Sequence, residues 1–325
     1  MTVLVTGGAG YIGSHMTYAL LDRGEGVVVL DDLSTGSRGL VGEGAVFVEG
    51  DAGDQALVRH LIREHHIDAV MHFAGSIVVP DSVEHPLRYY ANNTVVSHAL
   101  IEACMLESVK HFIFSSTATV YAVDAKQPLS EGEPMGPISP YARSKLMTEW
   151  MLEDASRAHD FRYMALRYFN VAGADPKGRT GQSTPKATHL IKRACQVALG
   201  RVPHLDIFGT DYPTPDGTGI RDYIHVTDLA TAHLLALHAL RGGAESAIYN
   251  VGYGRGLSVR DVIRGMETLT GRPLPVRESA RRAGDPPMLI SDPQRIKRAL
   301  DWRPQHEDLA EIIRFALEWE RRFNA

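Results

Sequence analysis

The chain of 325 residues has little of what marks secreted, membrane-spanning or nucleic-acid-binding proteins. Its two cysteines, Cys104 and Cys195, lie far apart in helix-like segments, which indicates buried, reduced thiols rather than a disulfide framework. No apolar run approaches the ~18 residues that a membrane helix needs. The formal net charge is -5 and no block of Lys and Arg stands out, so neither a nucleic-acid partner nor a membrane is expected.

Metal-binding patterns are also missing from the sequence. The 15 histidines are scattered without His-x-x-x-His spacing, and there is no Cys-x-x-Cys, so no metal site is expected. The first predicted strand begins at Val3, which leaves no room for a signal peptide, and we expect a cytoplasmic protein. With 44% hydrophobic and 22% charged residues, the chain has an ordinary globular balance and the length for one large or two unequal domains.

A glycine-rich turn follows the first apolar run and reads Thr6-Gly7-Gly8-Ala9-Gly10-Tyr11-Ile12-Gly13. Gly7 frees the turn out of the strand, Gly10 lets a pyrophosphate approach the backbone, and Gly13 lets helix and strand pack closely. The following helix N-terminus offers free N–H groups and a partial positive charge to phosphates. The pattern predicts a dinucleotide site.

The second apolar run, 27–30, ends in Asp31. That position lies roughly 20 residues past the glycine turn, where a carboxylate meets the ribose hydroxyls of a dinucleotide. Because a carboxylate repels a 2′-phosphate, Asp31 favours NAD over NADP, and Asp32 strengthens that preference. The alternative is a solvated acid that closes the strand.

Strand-like runs alternate with longer helical patterns along the first half of the chain. Strands are predicted at 3–6, 27–31, 46–49, 69–73, 111–115 and 163–169, and helices at 12–23, 54–64, 86–106 and 141–159. This alternation predicts an α/β fold with a Rossmann-type, doubly wound parallel sheet, which binds ligands at the carboxyl ends of its strands.

The second half of the chain predicts a smaller, interleaved C-terminal α/β lobe. Gly, Pro and Thr cluster at 173–188 and 209–219, which is typical of loops over a ligand. A helix at 226–240 and a strand at 247–251 are expected to return to the main sheet, and the last ~70 residues hold two or three helical patterns and a Pro-rich loop. We therefore assign 1–170 and 220–251 to a cofactor-binding domain and 171–219 and 252–325 to a substrate lobe.

Short motifs stand where three of these strands end. They are Asp51-Ala52 after the third strand, Phe73-Ala74-Gly75 after the fourth, and Ser115-Ser116-Thr117 after the fifth. Asp51 is a candidate acceptor for an adenine amino group, and an ordinary turn acid is the alternative.

Tyr141 and Lys145 form the sharpest catalytic signal. Their spacing places both side chains on one helix face, and Ser139-Pro140 predicts a helix start just before them. A tyrosine with its usual pKa near ~10 is a poor base, but a nearby ammonium and a positive nicotinamide lower that pKa. Thr117 is expected to bridge a sugar oxygen and the Tyr141 oxygen; the alternative is a strand-end hydroxyl bonded to backbone.

The motifs together resemble the extended short-chain dehydrogenase/reductase superfamily. This resemblance rests on the runs at 6–15, 31–36 and 112–121 and on the Tyr141/Lys145 pair. Leu-Arg-Tyr-Phe-Asn at 166–170, the run at 211–226 and Arg-Arg-Ala-Gly-Asp-Pro at 281–286 narrow it to the UDP-glucose 4-epimerase family, from end to end of the chain.

The resemblance implies inversion at C4 of a UDP-hexose, with UDP-glucose and UDP-galactose as the expected pair. Tyr141 would take the proton from the sugar O4 while a hydride passes from C4 to tightly held NAD, and Thr117 would orient O4. The 4-keto sugar would then turn and take the hydride back on its other face. By the same resemblance Asn170, Arg221 and Arg282 contact the diphosphate, Asp285 the uridine ribose, and a homodimer forms through 86–106 and 141–159.

The implied binding residues fall into two sets. Those on the cofactor side are Gly7, Gly10, Tyr11, Ile12, Gly13, Asp31, Leu33, Ser34, Thr35, Gly36, Asp51, Ala52, Phe73, Ala74, Gly75, Asn92, Asn93, Ser115, Tyr141, Lys145 and Tyr168. Those on the substrate side are Thr117, Tyr141, Asn170, His189, Leu190, Asp206, Phe208, Arg221, Arg282, Asp285 and Leu289.

Neighbouring residues separate this reaction from its relatives. Thr117-Ala118-Thr119 lacks the carboxylates with which related 4,6-dehydratases remove water. Alternatives that stay open are 4-epimerisation of UDP-N-acetylhexosamines, UDP-uronates or UDP-pentoses and, as a rival from another class, a non-catalytic NAD-sensing regulator. Leu289, of intermediate size in the hexose pocket, leaves acceptance of N-acetylated sugars open. Three residues depart from the family pattern: Ser76-Ile77 follows Gly75, with Ile77 where many members carry Lys, Val171 stands where Pro often follows, and His189 stands where some members have Asn.

Overall fold

The computed structural model describes residues 1–184, 188–282 and 285–323. The strands are β1 (Thr2–Thr6), β2 (Gly26–Asp31), β3 (Val46–Glu49), β4 (Ile67–His72), β5 (His111–Thr117), β6 (Arg162–Tyr168), β7 (Asn170–Ala172), β8 (Leu205–Phe208), β9 (Ile220–His225), β10 (Ala247–Val251), β11 (Gly256–Ser258), β12 (Val276–Ser279) and β13 (Met288–Leu289). The helices are α1 (Tyr11–Leu21), α2 (Gln55–His65), α3 (Val79–Glu84), α4 (Pro86–Tyr89), α5 (Val96–Leu106), α6 (Pro140–Ala158), α7 (Leu190–Ala198), α8 (Val226–Arg241), α9 (Val259–Thr270), α10 (Gln294–Leu300) and α11 (Leu309–Phe323).

Seven of these strands form one parallel sheet in the order β10-β6-β5-β4-β1-β2-β3. The strand order reverses between β1 and β4, and the crevice outside the carboxyl ends at such a reversal is where doubly wound sheets bind ligands. The predicted Rossmann-type fold class is confirmed, including the return of β10 to the sheet after α8.

Two predicted elements differ from the structure in detail. β5 runs on through Ser116 and Thr117, because these residues pair in register with Arg167 and Tyr168 of β6; they belong to the strand end, not to the loop after it. The helix predicted at 86–106 is a helical path in which α4 and α5 are joined by a π-helical turn, Tyr90–Val95.

The second lobe is built on small sheets beside the large one. One contains β11, β9 and β13, with β7 paired to β9, and another pairs β12 with β8. The predicted cofactor-binding domain includes β9, whereas in the structure β9 pairs with β11, β13 and β7 of the small sheet. The division into two domains stays a prediction.

Both lobes share one apolar core. A buried cluster extends from Val3 of β1 and Met164 of β6, through Leu229 of α8, to Trp302 and Ile313 near the C-terminus. The opposite face of the large sheet packs on α2, α5 and α6 through a second cluster that includes Phe112, Phe114 and Leu152. None of the helices in the described ranges combines the length and the hydropathy of a bilayer span.

Candidate functional site

The glycine turn after β1 is shaped by close backbone approaches. Gly7 has φ 71°, and a Cβ there would lie 2.6 Å from the backbone nitrogen of Ala74. A Cβ on Gly13 would lie 2.1 Å from the carbonyl oxygen of Gly7. At Gly10, the N-cap of α1, the nearest atom to a Cβ is 3.2 Å away. The turn is therefore closed by Gly7 and Gly13 and has most room at Gly10, where the pyrophosphate of a dinucleotide is expected.

Asp31 is buried against this turn, with 6% of its surface exposed. One carboxylate oxygen accepts the Ala9 N–H at 2.9 Å and the other accepts the Leu33 N–H at 2.9 Å. Burial raises the pKa of this carboxyl, while the two amide hydrogen bonds oppose the rise. The side chain is thus fixed in place, with lone pairs left for two more donors such as ribose hydroxyls.

The segment 31–36 wraps over the glycine turn. Leu33 has φ 57°, Ser34 donates from N–H and hydroxyl to Asp32 at 2.9 and 2.6 Å, and a Cβ on Gly36 would lie 2.8 Å from the Ala9 carbonyl carbon. Thr35 is exposed. These residues present backbone and hydroxyl groups at the end of β2.

Two of the implied cofactor residues lie farther along the same edge. Asp51 is exposed and accepts the Gly53 N–H at 2.8 Å, while Ala52 is buried in the second core cluster. Asp51 therefore closes a turn and also faces solvent, and its contact with an adenine amino group stays a prediction.

Tyr11, another implied cofactor residue, donates its hydroxyl to the Gly173 carbonyl at 2.7 Å. That hydrogen bond joins α1 to the second lobe, so the hydroxyl is already occupied. Ile12, next in α1, is half-buried and packs against the main core.

Asn93 holds the turn after β4 in place. Its side-chain oxygen accepts the Ser76 N–H at 2.8 Å, and its amide donates to the Ser76 carbonyl at 3.0 Å and to the Ser144 hydroxyl of α6 at 2.9 Å. The neighbouring Asn92 donates to the Ser76 hydroxyl at 3.1 Å. Through Asn93 and Ser144, the turn 73–76 is tied to the helix that carries Tyr141.

The first and third residues of this turn have different surroundings. Gly75 is exposed, whereas the Phe73 ring packs 5.0 Å from the ring of His233.

Tyr141 and Lys145 of α6 lie against the end of β5, where Tyr141 contacts Thr117 and Lys145 contacts Phe114. Ser139 caps α6 by accepting the Ala142 N–H at 3.2 Å, and Pro140 occupies the first turn, as predicted. The Thr117 hydroxyl accepts the Thr119 N–H at 3.2 Å, so the backbone bond weighed as an alternative is present. The same hydroxyl approaches Tyr141 and acts on its pKa. Lys145 is 3% exposed, with Nζ 4.9 Å from the Phe114 ring centroid.

The pKa values of this group follow from burial. Burial lowers the pKa of Lys145 to about 8 and raises the pKa of Tyr141, a rise that hydrogen bonding from Thr117 partly offsets. In the chain by itself, burial therefore dominates the pKa of Tyr141. The lowering expected from the ammonium together with a positive nicotinamide stays a prediction.

Tyr168 and Ser115 stand beside the catalytic group. The Tyr168 hydroxyl donates to Nε2 of the buried His233, whose Nδ1 donates to the Leu229 carbonyl at 2.8 Å. Burial raises the pKa of Tyr168, and hydrogen bonding from Ser115 opposes the rise. The hydroxyl of Tyr168 is thus engaged within the protein, as that of Tyr11 is.

A buried polar network that was not predicted from the sequence lies beside Thr117. Glu149 of α6 binds Arg167 of β6 and the Ser116 hydroxyl of β5, and Arg167 also donates to the Tyr121 hydroxyl at 2.9 Å. An arginine within the apolar run 163–169 was the available signal, because a charge in a buried strand needs a partner. The carboxylate one helical turn after Lys145 supplies that partner.

Arg221 of β9 and Asp285, just before β13, form an ion pair with an N–O distance of 2.5 Å. Leu289 pairs in register with Arg221 across β13 and β9 and packs against an apolar cluster that includes Ala118 and Phe169. The guanidinium of Arg282 lies 3.9 Å from the Phe208 ring centroid. Ala283 and Gly284, which complete the motif at 281–286, lie outside the described residues. Arg221, Arg282, Asp285 and Leu289 are thus neighbours in the second lobe, and their roles toward a diphosphate, a ribose and a hexose stay predictions.

A cleft between the lobes is lined by Asn170, His189 and Leu190 together with Tyr11 and Tyr223. Three residues implied on the substrate side therefore share one cavity. His189 and Leu190 stand at the start of α7, and His189 caps that helix without a side-chain hydrogen bond.

Asp206, by contrast, is already paired. It accepts from Nε of Arg277 at 2.7 Å, and this hydrogen bond lowers the pKa of Asp206. The described ranges contain no group of three or more His, Cys, Asp or Glu side chains arranged to hold a metal ion.

The fold and this site define a nicotinamide-dependent α/β enzyme of the short-chain dehydrogenase/reductase class. The profile of the NAD dependent epimerase/dehydratase family matches residues 3–252, and the chain belongs to that family. It is 57% identical to a UDP-glucose 4-epimerase of Azospirillum brasilense, over 98% of this chain and 92% of the relative.

Solved structures give the same result. A UDP-glucose 4-epimerase from Brucella ovis in complex with NAD superposes with a TM-score of 0.94 at 47% identity, over 98% of this chain and 97% of that one. A UDP-glucose 4-epimerase from Bifidobacterium longum in complex with NAD+ and UDP has a TM-score of 0.93 at 36% identity, over 99% and 98%.

Proposed function

We propose that this chain is a UDP-glucose 4-epimerase, which interconverts UDP-glucose and UDP-galactose with tightly bound NAD. The observation that carries the proposal is the hydrogen bond between Thr117 and Tyr141 at the carboxyl end of β5, with Lys145 one helical turn after Tyr141 on α6. The relatives and solved structures support the same activity.

The residues of the glycine turn fit NAD. The space left at Gly10 admits a pyrophosphate next to free N–H groups of α1, and Asp31 is fixed where it can accept ribose hydroxyls. The buried Lys145 can donate to the nicotinamide ribose, which would replace the water that its ammonium has lost. When bound, NAD supplies the chemistry of accepting a hydride from C4 of the sugar and returning it.

Tyr141 acts as the base and acid of the reaction. As a phenolate it takes the proton from the sugar O4, the C4–O4 bond becomes a carbonyl, and the C4 hydrogen leaves with its electron pair. Tyr141 gives the proton back to O4 when the hydride returns to the opposite face, so no net oxidation remains. Thr117 holds O4 in line with the phenolate, and Lys145 favours the phenolate through its charge.

The substrate lobe holds the nucleotide firmly and leaves the hexose free to turn. Arg221 and Arg282 suit a diphosphate because a guanidinium binds phosphate oxygens in a bidentate manner, and Asn170 lies in the adjoining cleft. Asp285 then becomes available to the uridine ribose. Leu289 offers the sugar an apolar wall without hydrogen bonds, which permits the 4-keto sugar to present either face.

Helices at the surface support a homodimer. Three large apolar side chains are exposed on neighbouring helical segments. They are Leu87 on α4, which is 79% exposed, Val95 on the π-helical turn before α5, which is 62% exposed, and Trp150 on α6, which is 54% exposed. Exposed apolar side chains on adjacent helices are typical of a self-complementary dimer contact. We also place the protein in the cytoplasm, where its two buried thiols stay reduced.

A product assay without added cofactor tests the function. The purified protein is incubated separately with UDP-galactose, UDP-GalNAc, UDP-galacturonate and UDP-xylose. We expect UDP-glucose from UDP-galactose as the fastest conversion, and release of NAD with little NADP on denaturation. Faster conversion of another sugar would move the assignment to that substrate, and a requirement for added oxidant in every turnover would overturn it.

A further inference from the structure

Glu149 joins three structural elements through one carboxylate. It lies on α6, accepts Nε and Nη2 of Arg167 in β6 at 3.0 and 2.6 Å, and accepts the Ser116 hydroxyl of β5. Arg167 reaches farther, since its Nη1 donates to the Tyr121 hydroxyl at 2.9 Å, and Tyr121 donates to Asn250 of β10 at 2.7 Å.

The pair is inaccessible to solvent, with Glu149 and Arg167 2% and 3% exposed. Removing two charges from water costs about as much free energy as their attraction returns, so a buried ion pair is weak evidence of a stabilising role. The proposed chemistry does not use either charge. A role in geometry accounts for the pair better than a role in stability does.

The position of the pair relates it to the catalytic group. Glu149 lies one helical turn after Lys145 and two turns after Tyr141, on one face of α6. Ser116 directly precedes Thr117, and the register of β5 and β6 places Ser116 beside Arg167. The carboxylate of Glu149 therefore ties the helix that carries the base to the strand that carries its hydroxyl partner.

We propose that Glu149, Arg167 and Ser116 are positioning residues. They fix the position of α6 relative to β5, and so keep Tyr141 in contact with Thr117. This inference rests on the proposed function of Tyr141. Its consequence is a change in the proton affinity of the base: Thr117 lowers the pKa of Tyr141, so loosening the contact raises that pKa.

Two variants and a control separate positioning from stability. Glu149→Gln keeps the shape and leaves Arg167 buried without a counter-charge, which destabilises the fold. Glu149→Gln combined with Arg167→Met leaves no buried charge at this place, so much of the stability returns. The control is Asp228→Asn, which also neutralises a buried carboxylate; Asp228 accepts from the Tyr253 hydroxyl at 2.6 Å and from the backbone of Gln305 and His306 at 2.8 Å each.

The measurements are kcat and KM for UDP-galactose, their pH profiles, bound NAD and thermal unfolding. We expect kcat per folded molecule to fall about 10- to 100-fold in both Glu149 variants, since a displacement of about 1 Å has this effect. KM should change less than about twofold, bound NAD should stay, and the acid limb of the profile should move to higher pH. Asp228→Asn should lower thermal stability without changing kcat and without shifting the acid limb of the pH profile.

Recovery of normal kcat together with stability in the double variant would overturn the proposal, as would an unshifted acid limb. A further measurement does not depend on turnover and therefore tests the positioning role even if the proposed function is wrong. The ultraviolet phenolate titration of Tyr141, taken as the difference from the matching Tyr141→Phe protein, should move to higher pH in the Glu149 variants. An unchanged titration would refute positioning even if the wild-type protein did not epimerise UDP-galactose.

Discussion

The cofactor side and the substrate side of the crevice are built by different means. On the cofactor side, backbone atoms stand 2.1 to 2.6 Å from where a Cβ on Gly13 or Gly7 would be, and Asp31 is bound by two N–H groups. On the substrate side, Arg221 and Asp285 bind each other, and Arg282 rests on an aromatic ring. The shape of the cofactor side is therefore determined by backbone contacts. The substrate side is formed by charged side chains that can exchange one binding partner for another.

This difference explains how one enzyme retains its cofactor and releases its substrate. A site of fixed backbone donors loses little conformational entropy when the ligand binds. A site in which an ion pair must open favours a ligand that supplies new partners to both side chains, such as a diphosphate for Arg221 and ribose hydroxyls for Asp285. Substitutions on the cofactor side should therefore abolish the binding of NAD, whereas substitutions on the substrate side should raise the KM for the UDP-sugar.

Gly13→Ala should produce the largest effect. The new Cβ would overlap the Gly7 carbonyl at 2.1 Å, so the turn must shift and NAD should be lost from the purified protein along with all activity. Gly132→Ala, with no atom within 4 Å of its Cβ, is the control and should retain full NAD. Bound NAD is measured after denaturation; a normal content in Gly13→Ala would refute the fixed-backbone interpretation.

Arg221→Met should raise the KM for UDP-galactose by about 10- to 100-fold, because it removes charge-assisted hydrogen bonds to the diphosphate. The NAD content should stay normal, which separates the two sides of the crevice. Steady-state kinetics and calorimetric titration with UDP measure the loss. Arg260→Met removes an arginine from a remote ion pair with Glu278 and serves as the control; an equal rise in KM there would contradict the assignment.

Leu289→Cys should raise the turnover of UDP-GlcNAc relative to UDP-glucose several-fold, because the smaller side chain leaves room beside the sugar. The ratio of the two turnover numbers in one preparation is the measurement. If the ratio does not change, Leu289 does not limit the pocket.

Lys145→Met should stabilise the NAD-free protein at pH 7 by about a few degrees in Tm. Burial lowers the lysine pKa from 10.5 to about 8, so between those values the unfolded chain binds a proton that the folded chain has lost, and wild-type stability rises with pH. The advantage of the variant should therefore be complete below pH 8 and vanish towards pH 10.5. Thermal unfolding across this range checks it; an advantage independent of pH would contradict the buried charge.

The sequence predicted the local and periodic features of the site. Gly7, Gly13 and Asp31 have their positions because strand, turn and helix follow directly in sequence, and Tyr141 with Lys145 because a helix repeats every 3.6 residues. The seven-stranded sheet follows from the alternation of strands and helices in the same way.

The features that escaped prediction depend on residues distant in sequence. Arg167 and Glu149 meet only because β6 packs against α6. The Tyr11 hydroxyl donates a hydrogen bond to a carbonyl 162 residues away. β9 could not be assigned to its sheet without the register that joins it to β11 and β13. The dominance of burial over charge at Tyr141 also escaped prediction, because sequence spacing reveals charged neighbours but not the extent of desolvation.

The central claim is that Tyr141 lets one hydrogen leave C4 and return to it within a single site. The most direct test follows UDP-galactose deuterated at C4 through the wild-type protein and Tyr141→Phe. We expect the UDP-glucose formed to keep its deuterium at C4, and the variant to turn over about 10²- to 10⁴-fold more slowly with NAD and UDP still bound. Solvent hydrogen at C4 of the product, or near-normal turnover in Tyr141→Phe, would contradict the account.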